Sequence, residues 1–133
     1  MRGFLVLMVA GFVLLGGCIE HKSEDPIECY RLWSGEEPPS DVKVLNAKYW
    51  QSPHWTKEYI LYMELTAPSK WRKEFIKENH LTLDSNEWMP PSDIPHWFLP
   101  TTNYLQWKLY QSDESSIFED TVTGKMFLYE IQL

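Results

Sequence analysis

The feature that most narrows what this chain can fold into is a period of two that recurs on both sides of its middle. From Lys57 to Thr66 the order KEYILYMELT puts Tyr59, Leu61, Met63 and Leu65 on one side of an extended backbone and Ile60, Tyr62 and Glu64 on the other. Successive side chains of a strand point to opposite faces, so this is the pattern of a half-buried strand. The run from Asp41 to Trp50 carries β-branched and aromatic residues with partial alternation, and Ser52-Pro53-His54 supplies a turn. Together they predict an antiparallel hairpin. Later, Leu105, Trp107 and Leu109 alternate with Gln106 and Lys108, and Phe127, Tyr129, Ile131 and Leu133 alternate with Leu128, Glu130 and Gln132. Two more strands are expected there, with a short one at Ile117-Phe118 and a turn at Thr123-Gly124.

The period changes at Thr66. Thr66 can cap a helix, Pro68 is tolerated in a first turn, and Trp71, Phe75 and Ile76 form an apolar stripe. Lys70, Arg72, Lys73, Glu74, Lys77 and Glu78 read as its solvated face, with Lys70 and Glu74 at ion-pair spacing, and Asn79-His80 ends it. The order β-β-α-β-β-β predicts an α+β domain, an antiparallel sheet of four to five strands with one helix packed on it.

Residues 84–103 hold Pro90, Pro91, Pro95 and Pro100 among several rings, which neither a helix nor a central strand tolerates. A loop this long inside a compact domain is uncommon unless it is functional, so Trp88, Trp97 and Phe98 form a candidate binding surface. The other assignment makes Trp97 and Phe98 plugs of the core. A division of labour is expected, with Trp97 packed on the sheet and Trp88 more exposed.

At the N-terminus, Arg2 precedes an apolar run from Phe4 to Leu15, then small residues and Cys18. The run is shorter than the roughly 20 residues a membrane-spanning helix needs, and the order is that of a secretory signal. Leu15-Gly16-Gly17-Cys18 resembles the lipobox of bacterial lipoproteins. That resemblance implies cleavage after residue 17 and lipid attachment at Cys18, as a thioether-linked diacylglycerol usually joined by an acylated amino group. Each buried CH₂ of those chains contributes roughly 0.8 kcal/mol of membrane affinity. In lipoproteins of this kind an Asp after the cysteine tends to retain the protein in the inner membrane. Ile19 stands there instead, which leans towards an outer-membrane anchor facing the periplasm. The expected organisation is a signal peptide at 1–17, an acylated tether at 18–28 and a single domain at 29–133.

Losing residues 1–17 removes Arg2 and no acid, so 12 basic and 19 acidic side chains become 11 and 19, a formal charge of about −8. An acidic surface repels phosphate backbones, which argues against nucleic acid as a partner and suits a basic one. With Cys18 acylated, Cys29 has no partner within the mature chain and should be buried as a small hydrophobe. His21, His54, His80 and His96 stand apart from one another and from any metal-ligand spacing, and no nucleophile elbow or phosphate loop is present, so no cofactor, metal or catalytic residue is assigned. The segment Pro95-His96-Trp97-Phe98 after a strand-helix unit resembles small bacterial lipoproteins, a likeness that transfers no activity.

Two function classes remain open. One is a membrane-tethered binding module with a protein partner, either an inhibitor or immunity-like protein or an accessory subunit of an envelope assembly. The other is an envelope hydrolase acting on peptidoglycan or lipid with unmarked catalytic residues. Seven tryptophans and seven tyrosines suit the first, because such rings anchor interfaces.

Overall fold

The computed structural model describes residues 19–53, 58–101, 103–109 and 112–133. The leader, Cys18 and His54 lie outside the described residues. Along the chain run β1 (His21–Ser23), α1 (Pro26–Ser34), β2 (Lys43–Gln51), β3 (Tyr59–Thr66), α2 (Ser69–Glu78), β4 (Thr82–Leu83), β5 (Leu105–Leu109), β6 (Ser112–Glu119) and β7 (Lys125–Gln132). The strands form one sheet in the order β1-β2-β3-β7-β6-β5-β4, with antiparallel neighbours throughout. The α+β class and antiparallel sheet are as expected. The expected four to five strands and single helix are corrected to seven strands and two helices among the described residues.

The extra elements lie where polar composition hides structure. His21, Lys22 and Ser23, read from sequence as tether, pair with Gln51, Trp50 and Tyr49. The α1 helix then begins on Asp25, whose carboxylate accepts the Glu28 N–H at 2.8 Å, with Pro26 in its first turn. It ends on Gly35, whose φ of 76° suits a residue without a Cβ. Cys29 on this helix is fully buried and donates its thiol to the Ser23 carbonyl at 3.3 Å, tying α1 to β1. Burial pushes that thiol's pKa up, as expected for a structural cysteine. The strands β1 and β4 are three and two residues long, which keeps the exposed hydrogen-bonding edges of the sheet short.

The centre of the sheet is the β3–β7 pair, where Leu61 faces Glu130 and Tyr62 faces Tyr129. Alternation assigned the two sides of β3 as the sequence predicts, but both sides are covered. Leu61, Met63 and Leu65 join Met126, Leu128 and Ile117 beneath the helices. Tyr62 joins Phe98, Phe118, Phe127 and Tyr129 beneath the proline-rich loop. The expectation of a half-buried strand is therefore corrected to one buried on both faces, the situation in which strands lose their polar side.

The α2 helix departs from expectation at its start. Thr66 remains in β3, paired with Lys43 and Lys125, and the cap position is Pro68, which offers no side-chain acceptor. The Ala67 N–H is taken by the Gly124 carbonyl, which extends the strand by a residue. Gly124 has φ 80°, and a Cβ there would lie 2.8 Å from the Ala67 carbonyl oxygen and the Arg72 guanidinium. Arg72, expected on the solvated face, is buried. Its Nε donates to Glu119 Oε2 at 3.0 Å and its guanidinium also donates to the Ala67 carbonyl, while Trp107 Nε1 donates to Glu119 Oε1 at 3.2 Å. A buried charge needs such partners, and this pair pins α2 to β6. Lys70 and Glu74 do not form the ion pair their spacing allows.

Candidate functional site

The loop rings singled out from sequence come together, but against the sheet. Phe98 is 1% exposed and meets Tyr62, Phe118 and Phe127 edge-on. Trp88 is half-buried against Phe98, Phe118 and Tyr129, while Trp97 meets Phe98 at 6.0 Å between ring centres. The expected division of labour is reversed in its ring contacts, since Trp88 reaches further across the sheet than Trp97. Phe98 is part of the core here, and what the loop turns outward is Met89 and Leu99, 86% and 68% exposed.

A more reactive environment lies on the other face, in a cleft of about 430 Å³ between the helices. Its floor is Tyr59 of β3 and Glu130 of β7. One wall is α1, which supplies Tyr30, Trp33 and Ser34, and the other is α2, which supplies Trp71, Glu74, Phe75, Glu78 and Asn79. The walls touch at the bottom, where Trp33 meets Phe75 at 5.9 Å and Phe75 stacks on Trp71 at 5.2 Å. Tyr30 packs edge-on against Trp33 at 5.5 Å, and Tyr59 stacks on Tyr49 at 5.9 Å. Rings held by ring contacts have few rotamers left to lose, so this lining is set before anything enters.

Glu130 gives the cleft its chemistry. It is 7% exposed, and one of its oxygens, Oε2, accepts from Trp33 Nε1 at 2.8 Å and from the Tyr59 hydroxyl at 3.0 Å. Both donors go to Oε2, and Glu130 lines the cleft, so Oε1 is the carboxylate oxygen that neither Trp33 nor Tyr59 takes. Burial pushes the carboxyl's pKa above the usual glutamate range, and the two donors pull partly back. Burial and the neighbouring carboxylate also raise the Tyr59 hydroxyl, which therefore stays a donor at neutral pH. Glu74 and Glu78 at the mouth stand one helical turn apart, and neither is in an ion pair. Among the described residues that line the cleft there is no Lys, Arg or His.

Two larger clefts, each about 650 Å³, carry other charges. One lies beside β1 and β2, with Trp50, Ile60 and Tyr62 between Lys22, Lys48 and Asp93. The other lies on the far side of α2, where Lys73, Lys77 and His80 rim Ile76, Leu81 and Trp107. The second is also lined by the buried Glu119, but both of its oxygens are already taken, by Arg72 and by Trp107. Among the described residues no group of three or more His, Cys, Asp or Glu is placed to hold a metal ion.

Sequence reasoning missed Glu130 and Trp33. Glu130 stands with Leu128 and Gln132 in the alternation of β7, which does not mark it as buried, and Trp33 lies on a helix that alternation did not reveal. A signal was present: Asp25-Pro26 followed by Gly35 frames a helix start and stop. No protein-family model matches the chain, and no curated protein or solved structure is significantly similar to it.

Proposed function

We propose that this chain is a lipid-anchored binding module of the cell envelope, tethered through Cys18 at the outer membrane and facing the periplasm, and that it holds a protein partner in the cleft between α1 and α2. The lipobox-like Leu15 to Cys18 supports the anchor. The observation that carries the binding reading is the preformed aromatic cleft lined by a buried glutamate, one oxygen of which neither Trp33 nor Tyr59 takes. Preorganised rings around a single polar contact suit recognition, because little entropy is lost on binding and the polar group fixes orientation.

Cross-linking in envelope membranes tests this reading. The expected result is a cross-linked partner lost in a Trp71→Ala or Glu78→Lys variant and retained in Met89→Ser and Leu99→Ser variants. The reverse pattern returns the binding surface to the loop and overturns the proposal. The anchor has its own test: Cys18→Ala should abolish palmitate incorporation, and continued labelling removes the lipoprotein assignment.

The same carboxylate supports a second reading as a hydrolase. A buried acid with a raised pKa in a cleft with further carboxylates is the pairing glycoside cleavage uses, with Glu130 as proton donor and Glu74 or Glu78 as base. Release of soluble fragments from purified peptidoglycan by the full chain, abolished by Glu130→Gln, decides for it.

A further inference from the structure

The cleft's chemistry points to its occupant. Resting on the binding reading above, we propose that the cleft is a receptor for the ammonium group of a lysine side chain on the partner, seated between Trp33, Trp71 and Tyr59 with its charge on Glu130 Oε1.

Charge selects the class. Among the described residues, every ionisable group lining the cavity is an acid or a phenol: Glu74 and Glu78 from α2, Glu130 from β7, Tyr30 from α1 and Tyr59 from β3. The two carboxylates on α2 are four residues apart, a like-charge spacing that costs an isolated helix a few tenths of a kcal/mol. An incoming cation relieves that repulsion. The indole and phenol faces attract a cation as well, most strongly where water is excluded.

Geometry separates lysine from arginine. A guanidinium prefers a fork of two parallel bonds to both oxygens of a carboxylate. At Glu130 one oxygen is already committed to Trp33 and Tyr59, so the floor offers a single acceptor. A compact ammonium needs only one, and the methylene stem of lysine lies along Trp71 and Phe75, which stack on each other. Glu74 and Glu78, both exposed on α2, remain at the mouth for a second positive charge of the same partner.

Binding should carry a proton signature. Burial raises the Glu130 carboxyl's pKa, and an ammonium in contact with it would lower it again, so binding is coupled to proton release. Affinity therefore rises with pH across the interval in which Glu130 titrates.

The test uses the full chain in a non-ionic detergent and three pentapeptides, Gly-Gly-Lys-Gly-Gly, its arginine version and its norleucine version, with tetramethylammonium chloride as a fourth probe. Calorimetry in two buffers of different ionisation enthalpy reads affinity and proton release together. The expected result is lysine binding at least tenfold tighter than norleucine and tighter than arginine, with protons released. Glu130→Gln, which keeps shape and acceptor, should lower lysine affinity at least tenfold. Glu74→Gln with Glu78→Gln, on the exposed surface and harmless to the fold, should lower it severalfold and reduce its salt dependence. Equal binding of lysine and norleucine, lysine binding indifferent to Glu130→Gln, or tetramethylammonium alone binding overturns the proposal. If no peptide binds while Trp71→Ala still abolishes the cross-linked partner, the lysine assignment fails and the cleft remains the binding site. If Trp71→Ala leaves the partner in place, both fail.

Discussion

On one face of the sheet, Tyr62, Phe98, Phe118, Phe127 and Tyr129 meet ring to ring, and Tyr62 donates its hydroxyl to Asp93 at 2.9 Å at the margin. On the other face, rings of similar number enclose Glu130, whose burial the indole and phenol donors offset only in part. Both faces are buried, so burial alone does not separate architecture from recognition. The difference lies in what the rings surround. A cluster closed on itself returns its packing as stability, whereas a cluster closed around an incompletely satisfied acid keeps a place for something else.

The largest expected effects test the claim that the loop face is architecture. Phe98→Ala should cost about 3–5 kcal/mol, the usual result of emptying a core aromatic position. Urea denaturation reads it directly, and a loss below about 1 kcal/mol would dissolve the contrast. Trp97→Ala, at a half-buried ring, should cost less than Trp88→Ala, which loses contacts to three rings. A similar loss, again about 3–5 kcal/mol, is expected for Glu119→Ala, which strands the buried Arg72 charge. Replacing the pair together by Met and Leu should recover most of that loss, since the charges rather than the volume carry the penalty.

A smaller effect of opposite sign sharpens the helix face. Glu130 titrates above its ordinary range in the folded protein, so its contribution to stability is fully present below the unfolded glutamate value and is lost as pH rises through the folded one. Glu130→Gln should flatten that decline and leave the protein at neutral pH as stable as the parent or more so. Melting temperatures between pH 4 and pH 8 check it, and a variant less stable at pH 8 than the parent would mean the carboxylate is needed for the fold. Smallest of all, Met89→Ser and Leu99→Ser, on the outside of the loop, should change stability by less than about 0.5 kcal/mol.

Much of the sheet was legible in the sequence because alternation survives wherever strands lie. The sides of β3 and β5 follow from Leu61, Met63 and Leu65 and from Trp107 and Leu109, and the turn before β7 follows from Gly124. What alternation does not report is whether a second layer covers the polar side. Glu64 and Glu130 occupy positions of opposite pleat yet both are buried, because Asn46 and Lys125 meet the first and Trp33 and Tyr59 the second. Those partners are distant in sequence, and no local pattern announces them. The α1 helix was hidden for a different reason: only nine residues long, it follows a polar stretch that composition assigns to a linker. Arg72 was misplaced because a helical wheel shows only which residues share a side, and Glu119, which makes its burial tolerable, arrives from β6.

The position of β7 at the middle of the sheet sets the order of events as the chain folds. The hairpin of β2 and β3 can form early, from residues close in sequence, and β5 with β6 can follow, yet the two halves share no ladder until β7 enters between β3 and β6. Closing that gap joins Tyr59 to Gln132 and Thr66 to Lys125, long-range contacts that are slow to form. Through the interval, β3 stands with Leu61, Met63 and Leu65 beside an open hydrogen-bonding edge, a template for pairing with another copy.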